Sequence, residues 1–95
     1  MFVISLTYQK PMEEVEAQIA AHREFLDRNY AAGVFLASGP KNPRVGGVIL
    51  ASGKVSREQL DGLLAEDPFH VHALARYEVT EFTPSKCAHP LEGIL

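Results

Sequence analysis

Two β-forming stretches, "VFLASG" (34–39) and "GVILAS" (47–52), are separated by little more than the polar turn "KNPRVG". That spacing leaves them one simple arrangement, a hairpin, and the rest of the chain must fit around it. Ahead of the hairpin, "FVISLTY" alternates Phe2, Ile4, Leu6 and Tyr8 with Val3, Ser5 and Thr7, the period-two pattern of a strand. Between that strand and the hairpin, Val15, Ile19, His22, Leu26 and Tyr30 recur at spacings of four, three, four and four, the stripe by which an amphipathic helix faces a core. Pro11 suits the opening turn of this helix, Glu13, Glu14 and Glu16 suit its positive end, and Gly33 marks its stop. One helix is therefore predicted from about Met12 to Ala32.

Beyond the hairpin, Ser56 and Gln59 form a capping-box pattern at the head of "SREQLDGLLAED", whose Leu60, Leu63 and Leu64 make a short apolar stripe. Pro68 is expected to break this helix, because proline has no N–H and pushes the residue before it out of helical angles. "ALARYEVTEF" reads as the last strand. The order is strand, helix, strand, strand, helix, strand, which describes an α+β protein of the ferredoxin-like βαββαβ type, an antiparallel sheet with both helices on one face. A single domain accounts for residues 1–95, with a core over about 1–84 and a C-terminal tail over about 85–95.

A chain of 95 residues buries only roughly 60–65% of the surface that its unfolded form exposes. Its core is small, and a partner subunit would help. "FVISLTY", "VFLASG" and "GVILAS" carry apolar side chains on both faces, more than a half-solvated sheet needs, so the sheet is expected to meet a second sheet in a homodimer. The net charge of −3 without a basic cluster argues against nucleic acid and anionic membrane as partners and leaves small molecules and proteins. No apolar run approaches a membrane span, and "MFVISLTYQK" lacks the features of a secretory leader, so a cytoplasmic location is expected. The single cysteine, Cys87, permits no internal disulfide and fits a reducing compartment.

His22 is the anomaly of the first helix. An imidazole placed where leucine would cost nothing must satisfy two ring nitrogens, so something polar should wait opposite it. At this point the motifs "YQKP", "AHREFLDRNYAAG", "FLASGP", "GGVILA" and "EDPF" are informative together. In order and spacing, over about Met1 to Pro84, they resemble the YCII-related (YciI-like) proteins. The resemblance implies a ferredoxin-like subunit whose sheet packs against its partner's to form a dimeric α/β barrel. That superfamily also includes muconolactone isomerases and heme-containing relatives of chlorite dismutase, and one YCII-like member is a dehydrochlorinase of chloroaromatic degradation. The resemblance further implies an active-site histidine and aspartate, at His22 in "AHREFL" and Asp67 in "EDPF", with Ser38 in "ASGP" as a further pocket residue.

Both helices of a βαββαβ fold lie on one sheet face, so His22 and Asp67 are able to meet. A carboxylate that accepts from one imidazole nitrogen fixes the ring's tautomer and leaves the other nitrogen to take or give a proton, the apparatus of a general acid–base. The expected activity is cofactor-independent acid–base chemistry of the lyase or isomerase kind on a small anionic or aromatic-derived metabolite. In it Ser38 holds a substrate oxygen, Arg44 steers the anion to the pocket mouth, and Phe69 covers the site or joins the core. Arg23, turned about 100° from His22 along the helix, is expected on the surface. The competing reading is a non-catalytic ligand-binding or interaction module in which His22 and Asp67 merely tie two helices together. Two sharper alternatives are weaker. A Ser38–His22–Asp67 hydrolase lacks a strained nucleophile elbow, and a metal site using His70 and His72 needs a convergence that their spacing does not guarantee. Gly46 and Gly47 precede no helix and read as a tight hairpin rather than a phosphate loop. Cys87 and His89 lie in the tail.

Overall fold

The alternation and capping signals produce four strands and four helical segments in a computed structural model that describes residues 1–93. In chain order these are β1 (Phe2–Tyr8), α1 (Met12–Glu16), α2 (Ile19–Ala31), β2 (Phe35–Pro40), β3 (Gly46–Ala51), α3 (Arg57–Leu64), α4 (Pro68–Val71) and β4 (Ala75–Glu81), followed by a 3-10 turn at His89–Leu91. The sheet order is β2-β3-β1-β4 and every pairing is antiparallel, the topology of a ferredoxin-like βαββαβ unit. Phe2, Ile4 and Leu6 of β1 share one face and form a single core with Val15, Phe25, Leu60, Leu64 and Phe69 of the helical segments. No helix among the described residues is long and apolar enough to cross a membrane.

The first helix departs from its expected form. It is interrupted at Ala17 and Gln18, where the Gln18 N–H bonds to the Val15 carbonyl three residues back and its φ, ψ of −110°, 4° lie outside the helical well. The break changes the helical phase. Val15 is sealed in the core, but the buried positions of α2 are Phe25 and Asn29, and Tyr30, at the end of the predicted stripe, is 37% exposed. Asn29 is satisfied by donating to the Phe25 carbonyl at 2.8 Å. The second expected helix, α3, stops before Pro68 and Asp67 is extended, as expected, and Pro68 in addition opens a further short helix, α4, from the first helical position, where a missing N–H costs nothing. The last strand then starts at Ala75, two residues later than "ALARYEVTEF" suggests, after Ala73 turns the chain at φ 52°.

Two local features of the hairpin position the site. The β2–β3 register shifts between Phe35 and Ala37, so a one-residue bulge puts Ser38 opposite the buried Ile49, on the helix-facing side. Without the bulge Ser38 and Phe35 would point to opposite faces. Gly46 is buried opposite Thr7, and a Cβ there would lie 1.8 Å from the Leu6 carbonyl oxygen, so only glycine lets β3 approach β1 this closely. On the sheet's other face, Val3, Ala37, Val48 and Leu50 make β1–β3 apolar as expected, whereas β4 presents Arg76, Glu78 and Thr80 there.

Candidate functional site

A helix cap sets the first side chain. Asp67 is the N-cap of α4, and its extended backbone brings Oδ1 within 3.0 Å of the Phe69 N–H. The same oxygen accepts from His22 Nδ1 on α2 at 2.7 Å, and Oδ2 accepts from the Tyr77 hydroxyl on β4 at 2.6 Å. Three donors from three elements thus converge on a carboxylate with 0% exposure. Because that carboxylate only accepts, the proton on this side of the imidazole belongs to Nδ1, and the neutral ring carries its lone pair on Nε2. Burial, and after it the charge and hydrogen bond of Asp67, hold the Tyr77 hydroxyl well above the usual tyrosine range, so the phenol stays a donor.

The imidazole is clamped as well as bonded. Its ring stacks on Phe69 with centroids 4.0 Å apart and planes 2° from parallel, and its side chain is 15% exposed. Among the described residues Nε2 has no hydrogen-bond partner, yet no buried side-chain nitrogen or oxygen there lacks one. Nε2 therefore reaches open space.

That space is a cavity of about 310 Å³ between α2 and the β2–β3 hairpin. Leu6, Tyr8, Ile19, Leu26, Ile49 and Phe69 give it apolar walls; His22, Arg23, Ser38 and Arg44 give it polar ones. No carboxylate among the described residues lines it, in a chain whose net charge is −3. Neither guanidinium pairs with a carboxylate among those residues. The cavity is thus a locally cationic pocket in an acidic protein.

Of the expected site residues, His22, Ser38, Arg44 and Phe69 line this cavity, and Asp67 lies behind His22. Phe69 lies in the core at 3% exposure and also lines the cavity. Arg23 is exposed, as expected of a surface position, and it also borders the cavity; Ile19, His22 and Leu26 line the cavity too, with Ile19 and Leu26 packed against the core as well. Ser38 Oγ bonds the Tyr30 hydroxyl at 2.6 Å, and no bond joins it to His22 among the described residues, so a Ser–His–Asp arrangement is not assembled. His70 and His72 are exposed, and His70 packs edge-on against Tyr77. No cluster of three metal-ligating side chains occurs among the described residues. Tyr77 escaped the sequence reading. Its signal was present, since alternation with Ala75 and Val79 places it on the helix-facing side of β4, where a phenol needs a polar partner.

Three comparisons with known proteins bear on this arrangement. The YCII-related domain matches residues 1–83. No curated protein matches the chain. Among solved structures, 5-chloro-2-hydroxyhydroquinone dehydrochlorinase (TftG) from Burkholderia phenoliruptrix AC1100, in complex with 2,5-dihydroxybenzoquinone, superposes with a TM-score of 0.71. The two share 17% sequence identity, and the match covers 87% of this chain and 94% of that one. The likeness is one of fold.

Proposed function

This chain belongs to the YCII-related family, and from that premise we propose that it is an enzyme performing acid–base chemistry on a small anionic molecule. The observation that carries the proposal is the state of His22. One ring nitrogen is fixed to a buried carboxylate, and the other opens into a cavity lined by two arginines and no acid. A purely structural pair has no need of that opening. Nε2 takes a proton from an acidic carbon or hydroxyl of the substrate. The electron pair released either shifts within the substrate, with the proton returned elsewhere, or expels an anionic leaving group; these are the isomerase and lyase outcomes. Asp67 orients the ring and stabilises the imidazolium that forms. Arg23 and Arg44 bind the substrate's negative charge, and Ser38, itself held by Tyr30, contacts a substrate oxygen.

The name of TftG suggests where to begin, since a dehydrochlorinase removes a proton and chloride, and its ligand is a small hydroxylated quinone. The test is a screen of hydroxylated and chlorinated ring acids for chloride release and for exchange of substrate protons with deuterated solvent. The parent is compared with His22→Gln, and ligand binding is followed by calorimetry. General acid–base catalysis contributes roughly 10²–10⁴-fold, so His22→Gln should lose at least 10²-fold in rate while still binding the anion. Binding without exchange or turnover in the parent would favour the ligand-binding module instead.

The reading extends to a cytoplasmic homodimer formed through the apolar outer face of β1–β3, where Val3, Ala37, Val48 and Leu50 cluster. Sedimentation at the mass of one chain would contradict it.

A further inference from the structure

We infer that Tyr77 is a positioning residue of this site, one that fixes the orientation of the Asp67 carboxylate and, through it, the basicity of His22. The inference rests on the acid–base reading of His22 and adds a component that neither the family match nor the sequence reading assigns. Tyr77 Oη lies 2.6 Å from Asp67 Oδ2 and His22 Nδ1 lies 2.7 Å from Asp67 Oδ1, so the two rings hold opposite oxygens of one carboxylate. The Phe69 N–H at 3.0 Å completes the set. Tyr77 itself does not line the cavity and touches no reacting atom. A hydrogen bond donated by the phenol draws electron density from the carboxylate, which then holds the imidazolium less strongly. The phenol therefore restrains the basicity that Asp67 confers on His22, and it keeps the carboxylate from rotating away from the ring, as outer partners of ligating and catalytic histidines do.

The consequence is a graded one. Removing the hydroxyl should make the His22–Asp67 pair keep its extra proton to higher pH, and strengthening the donor should make it release that proton at lower pH. The titration belongs to the pair rather than to either residue, and its direction is the same whichever partner holds the proton. The other ionisable groups facing His22 around the cavity are Arg23 of its own helix, Arg44 from the turn ahead of β3 and Tyr8 of β1. His70 packs on the far side, against Tyr77. All of these are common to the variants compared.

The experiment is an NMR titration of the His22 ring in the full chain, in the parent, in Tyr77→Phe and with 3-fluorotyrosine at position 77. Fluorine makes the phenol a stronger donor with almost no change of shape. The midpoint is expected to rise by roughly half a pH unit or more in Tyr77→Phe and to fall with fluorotyrosine, while the other histidines hold their positions. A midpoint that stays put across the folded variants, or moves in the opposite order, overturns the inference. If Tyr77→Phe does not fold, the fluorotyrosine protein decides alone: a downward shift supports the role and no shift refutes it. A residue that merely packed against Asp67 would alter stability without producing this order. The titration needs no substrate, so its failure is distinct from a failure to find turnover.

Discussion

Replacing Asp67 by alanine and by asparagine separates the two things the carboxylate does. Alanine strands three donors at once: His22 Nδ1, the Phe69 N–H and the Tyr77 hydroxyl. His22 retains some access to solvent, but the Phe69 N–H lies in a fully buried cap, and a buried donor left unsatisfied costs about 1–3 kcal/mol. With the Tyr77 hydroxyl added, the loss comes to about 3–5 kcal/mol, a large share of the roughly 5–15 kcal/mol that holds a small domain together. Asparagine behaves differently. Its amide oxygen occupies the Oδ1 position, where two N–H donors converge, and its NH2 takes the Oδ2 position, where the Tyr77 hydroxyl rotates to accept. Both N–H donors keep their acceptor, the phenol oxygen accepts from the new NH2 while its own O–H turns away without its former partner, and asparagine is as good an N-cap as aspartate, so the cost should be about 1–2 kcal/mol. Urea denaturation of both variants at neutral pH measures the difference, which should be more than about 1 kcal/mol in favour of asparagine. Equal stabilities within about 1 kcal/mol would mean that the three-donor convergence does not carry the energy assigned to it here. Asp67→Asn is then also the clean chemical variant, because it removes the charge and leaves the architecture.

Two further outcomes follow from single residues. The raised affinity of Tyr77 for its proton means that, above about pH 10, the unfolded chain has lost a proton that the folded chain keeps. Stability should therefore fall as pH rises through that range, by up to about 1.4 kcal/mol per pH unit, and Tyr77→Phe should lack this component; matching alkaline slopes for parent and variant in urea titrations would refute it. Gly46→Ala should destabilise by about 3 kcal/mol or more, because the new Cβ meets a backbone carbonyl at 1.8 Å, whereas Gly39→Ala, with nothing within 4 Å, should be close to neutral. Thermal melts of the two alanine variants give the comparison, and similar losses would contradict it.

The fold was legible because its signals are local and mutually consistent. The alternation in "FVISLTY", the capping box at Ser56 and the brief polar turn between two strands each constrain one element, and few topologies accommodate them together. The capping box forms as read, with Gln59 N–H donating to Ser56 and the Gln59 side chain accepting from the Ser56 N–H. The meeting of His22 and Asp67 was legible through the resemblance and the shared sheet face of the helices. What escaped were features that depend on phase. An interruption of two residues at Ala17 and Gln18 redirects the stripe on α2, and nothing in the composition of "EVEAQIAA" forbids a continuous helix there. That Arg23, exposed as expected, also borders the cavity depends on the hairpin facing it. The bulge at Leu36 likewise reverses the face of Ser38 without a glycine to announce it. Tyr77 was hidden because its partner lies ten residues away, on a side chain whose direction only the cap determines.

That dependence on the cap bears on whether the His–Asp pair is structural or chemical. Pro68 provides no N–H, so the orphan donor that α4 most needs satisfied is the Phe69 N–H, and only a side-chain acceptor at residue 67 is placed to reach it. Helix geometry alone thus brings the Asp67 carboxylate to this spot and turns one oxygen along the start of α4. His22 bonds that same oxygen, while Phe69, the residue whose N–H the cap satisfies, stacks its ring on the imidazole. The element that requires the carboxylate for folding also holds the ring that uses it, so a structural role for Asp67 does not compete with a chemical role for His22. Substitutions at Asp67 divide the cap from the charge, and the proposed proton transfer is tested most directly at the nitrogen the carboxylate leaves free. Nε2 is not needed for the cap, the stack or the core, and its access to a cation-lined cavity is the feature that folding alone does not explain.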